Sequence, residues 1–452
     1  MRATGRTLRL EPQGLAAPVL RFAESFICHR RLLPPPLSFA LFKEAIIQSS
    51  CQMAKFTSVF ELARSAPSVN SPAFHRLFEL SVGYPRCKTT PQLQSKYGDA
   101  LDTQAVARVE NKVTLAQCWY NEARTKKPQT FEAAADAAAA FDPLQSGPQG
   151  GCDFCSWQEL TAEDSWGRVE GPHAVSASNL FKYIKPAQGV VMFKHHDPLH
   201  FNLSQLQDLI SVSHAWFQRA AAHEAEQHAA LGLAPRQLYP LLVWNCLPRA
   251  GASQFHGHCQ VLLSDAPFPS LQQEAESVAC YTVTHGRSGR GYFQDVLAAH
   301  EDVGLLLREG SDGDFAFAFA SLAPWKDMEI VVHGSSMESA AFQRLLHISL
   351  RALIDELGVS TFNASIHNIR LGSGGSSNGS QSIGSRDGFT PPPRGETVPV
   401  VARVVSRGRL SSLASDFGGL EVMGGASIGH TDPYTVVDAL RRVQASLAPS
   451  VA

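Results

Sequence analysis

Hydrophobic and polar residues follow two periods along this chain, one typical of strands and one of helices. Short apolar runs at 188–194 and 238–244 predict buried strands, and 258–264 continues as a third. Apolar positions spaced three to four residues apart predict a helix from Ser204, the expected N-cap, to about 228. The middle of the chain therefore contains a strand, a helix and two further strands.

A similar succession, with strands before and after one long helix, returns in the C-terminal third. A mixed segment with a helix near 293–308 comes first, and the later elements are strands at 315–320 and 328–332, a helix at 339–357, and strands at 361–369 and 398–405. The two similar successions predict a duplicated α+β unit with antiparallel sheets and flanking helices. A Gly/Ser/Pro-rich stretch at 372–396 predicts a flexible loop within the second unit.

Composition divides the chain into a leader at 1–52, an N-terminal half at 53–310 and a C-terminal half at 311–452. The leader holds six Arg and one Lys against three Glu, as organellar transit peptides do. Two alternatives remain open: an untargeted extension, or translation that starts at Met53. The expected location is the cytoplasm, or a plastid or mitochondrion if the leader is a transit peptide.

Overall charge and composition exclude several classes of protein. The 452 residues are 44% hydrophobic with a formal net charge of −2, which predicts a globular protein without nucleic-acid binding. No run of about 18 apolar residues lacks charges, so we expect no membrane span. Nine cysteines without a disulfide-scaffold pattern indicate reduced thiols or metal ligands.

Candidate chemistry concentrates between Asn245 and Gln260. His256, His258 and Gln260 alternate with small or apolar residues. In an extended strand these three side chains would share one face, whereas Val261 would point into the core. A polar stripe on a half-exposed strand is the alternative interpretation.

This segment resembles the active-site strand of the galactose-1-phosphate uridylyltransferase branch of the histidine-triad superfamily, to which ADP-sugar and diadenosine-polyphosphate phosphorylases are related. Asn245, Ser253, His256, His258 and Gln260 match in type and spacing. The resemblance implies two histidine-triad-like halves in one chain. It also implies that His258 attacks the α-phosphorus of a nucleoside-diphosphate sugar and holds the nucleotide covalently. Gly257 stands where the family usually has Pro.

The residue types agree with that chemistry. An oriented imidazole is a nucleophile at neutral pH. Gln260 offers a neutral hydrogen bond to a phosphate oxygen but no proton donor for hydrolysis, which favours transfer. Ser253 and the backbone N–H groups of Gly251 and Ala252 are candidates for holding phosphate oxygens.

A Cys-x-x-Cys pair predicts a metal site. Cys152 and Cys155 have the spacing of one half of a tetrahedral zinc site. The resemblance implies that His256 and a histidine after the strand at 188–194 complete it. His195, His196 and His200 are all candidates there, and we favour His196. A closed four-ligand shell predicts structural zinc.

Two further residues are candidates for binding substrate. Arg124 lies in a segment, 119–128, that is similar to the family's Trp strand and basic turn, which approaches the nucleotide phosphates. Asn179 lies in a similar family strand, where it contacts ribose or base or else stabilises a turn.

The leading hypothesis is thus a nucleotidyltransferase that uses nucleotide-sugar and sugar-phosphate substrates, with a homodimer as one possible assembly. A phosphorylase of an ADP-sugar or a diadenosine polyphosphate is the alternative within the same chemistry. A non-catalytic nucleotide-binding protein is the alternative outside it.

Overall fold

A computed structural model describes most of the chain downstream of the predicted leader. The described residues are 56–97, 102–121, 123, 151–285, 290–311, 313–371, 398–410 and 415–447. They all belong to one unit, Cys51–Ala452. The predicted leader, Arg124 and the predicted loop at 372–396 lie outside the described residues.

The N-terminal segment forms short helices and a four-stranded sheet. The helices are α1 (Val59–Ser65), α2 (Pro72–Leu77) and α3 (Pro91–Tyr97). The strands, in spatial order, are β1 (Phe78–Gly83), β2 (Val106–Asn111), β3 (Gln117–Asn121) and, from the far end of the chain, β13 (Ala426–Gly429). Strand β13 runs parallel to β3, and the other pairs are antiparallel.

A nine-stranded antiparallel sheet forms the centre of the fold. Its strands are β4 (Ala174–Ser178), β5 (Pro186–Phe193), β6 (Tyr239–Cys246), β7 (His258–Ser264), β8 (Leu306–Ser311), β9 (Asp314–Ala320), β10 (Ile330–Gly334), β11 (Phe362–His367) and β12 (Val400–Ser406). Its helices are α4 (Trp157–Leu160), α5 (Leu203–Ala230), α6 (Pro269–His285), α7 (Tyr292–Asp302), α8 (Ala340–Arg351) and α9 (Pro433–Ser446).

The strand order shows that the sheet consists of two similar halves. The order is β4-β5-β7-β6-β11-β12-β10-β9-β8. Each half contributes two strands, a helix and two strands: β4, β5, α5, β6 and β7, then β9, β10, α8, β11 and β12. The halves meet where Asn245 of β6 pairs with Asn363 of β11. The predicted α+β class with two halves is therefore confirmed, whereas the boundary at residue 310 stays a prediction.

One face of the large sheet is covered by the long helices. Helix α5 buries Leu206, Trp216 and Phe217 against β4, β5 and β7, and α8 covers the other half. Gly189 of β5 has no room for a side chain, because a Cβ there would lie 2.8 Å from the Trp216 ring. Because the long helices cover this face, the candidate site can form only on the opposite face of the sheet.

The second face is occupied differently in its two halves. Over the C-terminal half lie the small sheet and α7, joined by the Arg76–Asp295 ion pair at 2.7 Å and by Asn111, which donates to Tyr292 at 3.0 Å. Over the N-terminal half lies the Cys-x-x-Cys segment, where Phe154 and Trp157 pack against Val175 and Met192.

Some observed element boundaries differ from those predicted from the sequence. Helix α5 begins at Leu203 rather than Ser204, and Asn202 is its N-cap in a reciprocal pair of hydrogen bonds with Gln205. The helix predicted near 293–308 is two elements, α7 and β8. The chain turns between them at Gly304, whose φ of 80° ends the helix.

The helix predicted at 339–357 ends as an α-helix at Arg351 and continues as a π-helical turn over Ala352–Glu356. Among the described residues, no helix is both long and apolar enough to cross a membrane. The cysteines in the described part of the chain are free thiols.

Candidate active site and metal centre

Strand β7 carries the candidate nucleophile. His258 is its first residue and pairs with Met192 of β5, and Gln260 pairs with Val190. His258 and Gln260 share one face, as predicted, because they are two residues apart in a strand. His256, however, precedes the strand instead of belonging to it, and the N–H of Gly257 donates to the His196 carbonyl in the loop after β5 rather than to β5 itself.

The two histidines are oriented through opposite ring nitrogens. Nε2 of His256 donates to the carbonyl of Phe193 at 2.7 Å, which leaves Nδ1 as the acceptor or ligand atom. Nδ1 of His258 donates to the carbonyl of His256 at 2.8 Å, which leaves Nε2 with the lone pair. Burial lowers the pKa of His258, so the ring is neutral at physiological pH. The arrangement leaves an unprotonated Nε2 on the face of β7 that Phe154 of the Cys-x-x-Cys segment covers.

Two neighbouring amides determine the orientation of Gln260. Asn179 accepts from the Phe181 N–H through Oδ1, so its Nδ2 is the donor that reaches Oε1 of Gln260 at 2.8 Å. Gln188 accepts from the N–H groups of Tyr183 and Ile184, so its Nε2 is the donor to the same oxygen at 3.3 Å. The side-chain NH₂ of Gln260 is therefore the group that remains to donate toward a ligand.

Four residues converge beside these histidines. The ligand atoms of Cys152, Cys155, His196 and His256 all lie within 4.8 Å of one another. Nδ1 of His256 lies 3.6 Å from Sγ of Cys152, 3.5 Å from Sγ of Cys155 and 3.3 Å from Nδ1 of His196. Of the three candidate histidines after β5, His196 is the member of this cluster.

The donor set has the dimensions of a tetrahedral metal site. Zinc bonds of about 2.3 Å to sulfur and about 2.0–2.1 Å to nitrogen place two nitrogens about 3.3 Å apart and a nitrogen and a sulfur about 3.6 Å apart. The distances above match both values. The hydrogen bond from His256 to Phe193 is the outer contact that orients a metal-binding imidazole.

The chemistry of the two thiols is also compatible with a bound cation. Burial and the neighbouring Cys152 raise the pKa of Cys155 to about 11. Two thiolates this close repel each other, and a divalent ion between them would favour both ionised forms. Cys152, Cys155, His196 and His256 could therefore bind zinc, as the sequence predicts.

The packing around Gly257 explains why this chain has Gly where the resembled branch usually has Pro. Its N–H donates to the carbonyl of His196 at 3.2 Å, and its carbonyl accepts from the N–H of Phe193 at 3.0 Å. A Cβ at this position would lie 2.8 Å from the Phe193 ring and 3.1 Å from Cα of Pro198. The loop after β5 packs so closely that position 257 requires glycine, which has no side chain and keeps its backbone N–H.

Asn245 lies under the turn that joins β6 to the histidine segment. Its Oδ1 accepts from Nδ2 of Asn363 at 2.8 Å, and the same Nδ2 also donates to the carbonyl of Ala250. The N–H groups of Gly251 and Ala252 donate to the carbonyls of Pro248 and Leu247 within this turn.

The prediction that the N–H groups of Gly251 and Ala252 hold phosphate is therefore wrong for this conformation, because the turn consumes both donors. Ser253, at the end of the turn, is exposed.

Sequence reasoning missed two residues of the site. Phe154, between the two cysteines, packs edge-on against His256 and His258, with ring centroids 5.8 and 5.1 Å away. Its position inside the Cys-x-x-Cys pair was the available signal. Gln188 is fully buried in an otherwise apolar strand, and a lone amide in such a run signals a buried hydrogen-bonding role.

Comparisons with known proteins place the fold. No family model matches the chain, and no curated protein sequence matches it. Among solved structures, an ADP-glucose phosphorylase from Arabidopsis thaliana with bound ADP-glucose is similar, with 16% identity and a TM-score of 0.52 over 74% of this chain and 98% of that chain.

Two other solved structures are less similar. A uridylyltransferase has 15% identity and a TM-score of 0.47, covering 75% of this chain and 98% of that one. A yeast Ap4A phosphorylase has 14% identity and a TM-score of 0.27, covering 74% and 84%. The fold assignment rests on the first structure, and it confirms the fold predicted from the resemblance at Asn245–Gln260.

Proposed function

We propose that this protein is a nucleotidyltransferase that carries a nucleotide covalently on Nε2 of His258. The donor is a nucleoside-diphosphate sugar, and the acceptor is a sugar 1-phosphate. The observation that carries the proposal is the hydrogen bond from Nδ1 of His258 to the His256 carbonyl, which makes Nε2 the nucleophilic nitrogen.

The chemistry proceeds in two balanced steps. Nε2 of His258 attacks the α-phosphorus, the N–P bond forms, and the P–O bond to the sugar phosphate breaks with its electron pair leaving on that oxygen. An oxygen of the acceptor phosphate then attacks the same phosphorus, and the electron pair of the N–P bond returns to Nε2. The NH₂ of Gln260, held by Asn179 and Gln188, donates to a phosphoryl oxygen in both steps.

Zinc held by the four-residue cluster would have a structural role, because four protein ligands leave no open position for water. It would fix His256, whose carbonyl orients His258. In this proposal Arg124 and Ser253 contact the phosphates of the donor. Asn245 supports the turn that presents Ser253. Asn179, whose amide is engaged with Gln260 and Phe181, positions Gln260 rather than the base.

A second candidate is a phosphorylase of an ADP-sugar or a diadenosine polyphosphate. The similarity in fold to an ADP-glucose phosphorylase favours it. The covalent step is the same, and the acceptor is inorganic phosphate. The two candidates therefore differ in the base of the donor and in the acceptor.

Intact-protein mass after incubation with UDP-glucose, ADP-glucose or diadenosine tetraphosphate tests the proposal. We expect one nucleotidyl adduct from one class of donor, and none on His258→Ala. His200→Ala is the matched control, because His200 is 78% exposed in the neighbouring loop and should leave labelling intact.

Adding glucose 1-phosphate, galactose 1-phosphate or inorganic phosphate to the labelled enzyme then identifies the acceptor by loss of the adduct. An adduct that persists on folded His258→Ala contradicts the assignment of the nucleophile. Absence of an adduct with every donor supports a non-catalytic nucleotide-binding protein instead.

A further inference from the structure

Phe154, between the two cysteines of the Cys-x-x-Cys segment, contacts both histidines of the candidate site edge-on. Its ring centroid lies 5.1 Å from that of His258, with the ring planes at 78°, and 5.8 Å from that of His256, with the planes at 81°. Aromatic rings prefer this edge-to-face arrangement at centroid distances of about 4.5–7 Å. Both contacts therefore have the geometry of a stabilising ring pair.

The register of the strands beneath Phe154 explains why its ring reaches His258. Val175 of β4 pairs with Met192 of β5, and Met192 pairs with His258 of β7. Residues paired across neighbouring strands point to the same face of a sheet, so these three side chains form one row. Phe154 packs against Val175 and Met192 in the apolar cluster of this face. Its ring thus lies along the row that ends at the candidate nucleophile.

The His258 ring is held by a hydrogen bond from Nδ1 to the His256 carbonyl, at 2.8 Å. Rotation of an imidazole about its Cβ–Cγ bond is soft, and the preferred orientations are related by a half-turn. A half-turn of this ring would exchange Nε2 with Cε1 and Nδ1 with Cδ2. It would therefore break the hydrogen bond and place a carbon where the nucleophilic nitrogen belongs. The Phe154 ring lies where it limits this rotation.

We propose that Phe154 is a positioning residue for the candidate nucleophile, and that its ring keeps Nε2 of His258 directed at the α-phosphorus. The hydrogen bond to the His256 carbonyl selects the nitrogen, and the contact with Phe154 fixes the plane of the ring. The direction toward phosphorus rests on the proposed function, whereas the restriction of the ring stands on the contacts of this fold alone.

The candidate metal-binding cluster lies on both sides of Phe154 in sequence. Cys152 and Cys155 flank it, and their sulfurs lie 3.6 and 3.5 Å from Nδ1 of His256. An ion held by these residues would fix the backbone before and after Phe154. His258 would then be connected to the cluster by two routes, through the His256 carbonyl and through the Phe154 ring.

Trp157 provides a matched comparison within the same segment. It packs against the same apolar cluster as Phe154, and its ring centroid lies 5.5 Å from the guanidinium carbon of Arg168. Of these two aromatic residues, Phe154 is the one whose ring pairs with His258. Trp157→Ala therefore removes an aromatic anchor of the segment and leaves the ring contact of His258 in place.

The rate at which His258 is labelled tests the positioning role in turnover, with whichever of UDP-glucose, ADP-glucose and diadenosine tetraphosphate labels the wild type. At saturating donor, Phe154→Ala should be labelled at least about tenfold more slowly than Trp157→Ala, since misplacing a reacting group costs up to about 10²-fold. The donor concentration that gives half the maximal rate should agree within about twofold, because orientation changes and binding does not. Zinc content and Tm, measured on the same preparations, should agree between the two variants.

Phe154→Leu serves if Phe154→Ala does not fold, because Leu fills most of the space but has no ring edge. It too should be labelled more slowly than Trp157→Ala. Equal labelling rates in the Phe154 and Trp157 variants would overturn the positioning role, since general loosening of the segment would then account for the whole loss.

Side-chain NMR of protein with labelled histidine tests the orientation of the ring without any turnover. Spectra are recorded at about pH 8, well above the ordinary histidine pKa of about 6.5, so that the ring stays neutral throughout. The wild type should show one His258 tautomer with a protonated Nδ1, identified by the loss of its signals in His258→Ala. Phe154→Ala should show averaged nitrogen shifts, because the freed ring exchanges between orientations and tautomers. Trp157→Ala should keep the single tautomer.

The two measurements separate the positioning role from the proposed function. If no donor labels His258, the proposed function fails, and the NMR comparison alone then decides the role of Phe154. A single tautomer in the wild type that is lost in Phe154→Ala supports it. A tautomer that is unchanged in Phe154→Ala, or a mixture already present in the wild type, overturns it.

Discussion

His256 and His258 are two residues apart and have different roles because each is hydrogen bonded through a different ring nitrogen. His256 donates from Nε2, and His258 donates from Nδ1. The first therefore has Nδ1 available for a metal, and the second would use Nε2 in the proposed attack on phosphorus. The His256 carbonyl links the two, so a metal ligand orients the candidate nucleophile.

Replacing Gln260 by His should lower transfer and raise hydrolysis of the nucleotide donor. An imidazole here could protonate a leaving group and activate water, which a neutral amide cannot do. We expect the ratio of hydrolysis to transfer to rise by at least about tenfold, within the range of general acid–base effects. Released nucleoside monophosphate and transferred nucleotide, quantified together by chromatography, give the ratio.

Gln260→Glu is the isosteric control for that change. Its carboxylate still accepts from Asn179 and Gln188 but turns a negative oxygen toward the phosphate. Both hydrolysis and transfer should fall, because like charges repel. A hydrolysis ratio that is unchanged in Gln260→His would contradict the role of the neutral amide.

Substitutions at Gly257 should lower the free energy of unfolding of this protein. Gly257→Ala should destabilise the fold by about 1–3 kcal/mol, since the added Cβ meets Phe193. Gly257→Pro should destabilise it further and lower metal content, because the N–H that holds the His196 carbonyl is lost.

Urea unfolding and elemental analysis measure both effects of the substitutions at Gly257. Gly419→Ala, which meets nothing within 4 Å, is the control. Equal stability and metal content in Gly257→Pro and Gly419→Ala would contradict the close packing of this loop.

At the scale of elements, the candidate metal-binding cluster joins three segments that are distant in sequence. The Cys-x-x-Cys loop, the loop after β5 and the approach to β7 each supply ligands. Without this connection the Cys-x-x-Cys loop is anchored mainly by Phe154 and Trp157 against Val175 and Met192. An ion bound by these four residues would therefore stabilise the segment that packs beside His258.

Cys152→Ser should lower metal content and thermal stability first, and activity as a consequence. We expect zinc to fall from one per chain toward none and Tm to fall by at least about 5 °C, since about 1 kcal/mol corresponds to 2–4 °C in domains of 150–250 residues. Elemental analysis and calorimetry on one preparation measure both.

Cys280→Ser, on an exposed free thiol of α6, is the matched control for Cys152→Ser. Wild-type protein purified without chelators that contains no zinc would remove the metal site. It would leave the assignment of His258 as the nucleophile untouched.

At the scale of the whole molecule, buried neutral histidines should make the fold sensitive to acid. Burial lowers the pKa of His300 to about 4, and burial and the charge of Arg403 lower that of His333 to about 3. In the unfolded chain both have the ordinary value of about 6.5, so that state binds more protons between pH 6.5 and these values. Stability is therefore full above about pH 6.5 and falls as the pH drops toward 4.

His333→Gln should reduce this pH dependence by up to about 1.4 kcal/mol per pH unit, the contribution of one proton taken up on unfolding. Urea unfolding between pH 4.5 and 5.5 measures the slope for the wild type and the variant. Protons taken up by metal ligands contribute equally to both proteins, so they cancel in the difference. Identical slopes would show that His333 is protonated in the folded state as well.

By itself, the sequence determined the elements with long, regular patterns and the residue types of the site. The predicted limits of strand 258–264 agree with those observed, and those of α5 agree within two residues. These elements can be predicted because buried positions recur along the sequence with the period of a strand or a helix. Motif spacing and the resemblance likewise predict the cluster of Cys152, Cys155, His196 and His256.

Only the tertiary structure decided which ring and amide atoms of those residues are engaged by protein partners, and which remote residues supply those partners. Partners 60 or more positions away orient the His256 ring and the Gln260 amide and require Gly at 257. The orientation of the His258 ring depends on a backbone carbonyl, that of His256. Local sequence patterns determine the secondary structure and the chemical groups of a segment. Long-range strand pairing determines which side chains from other segments contact those groups.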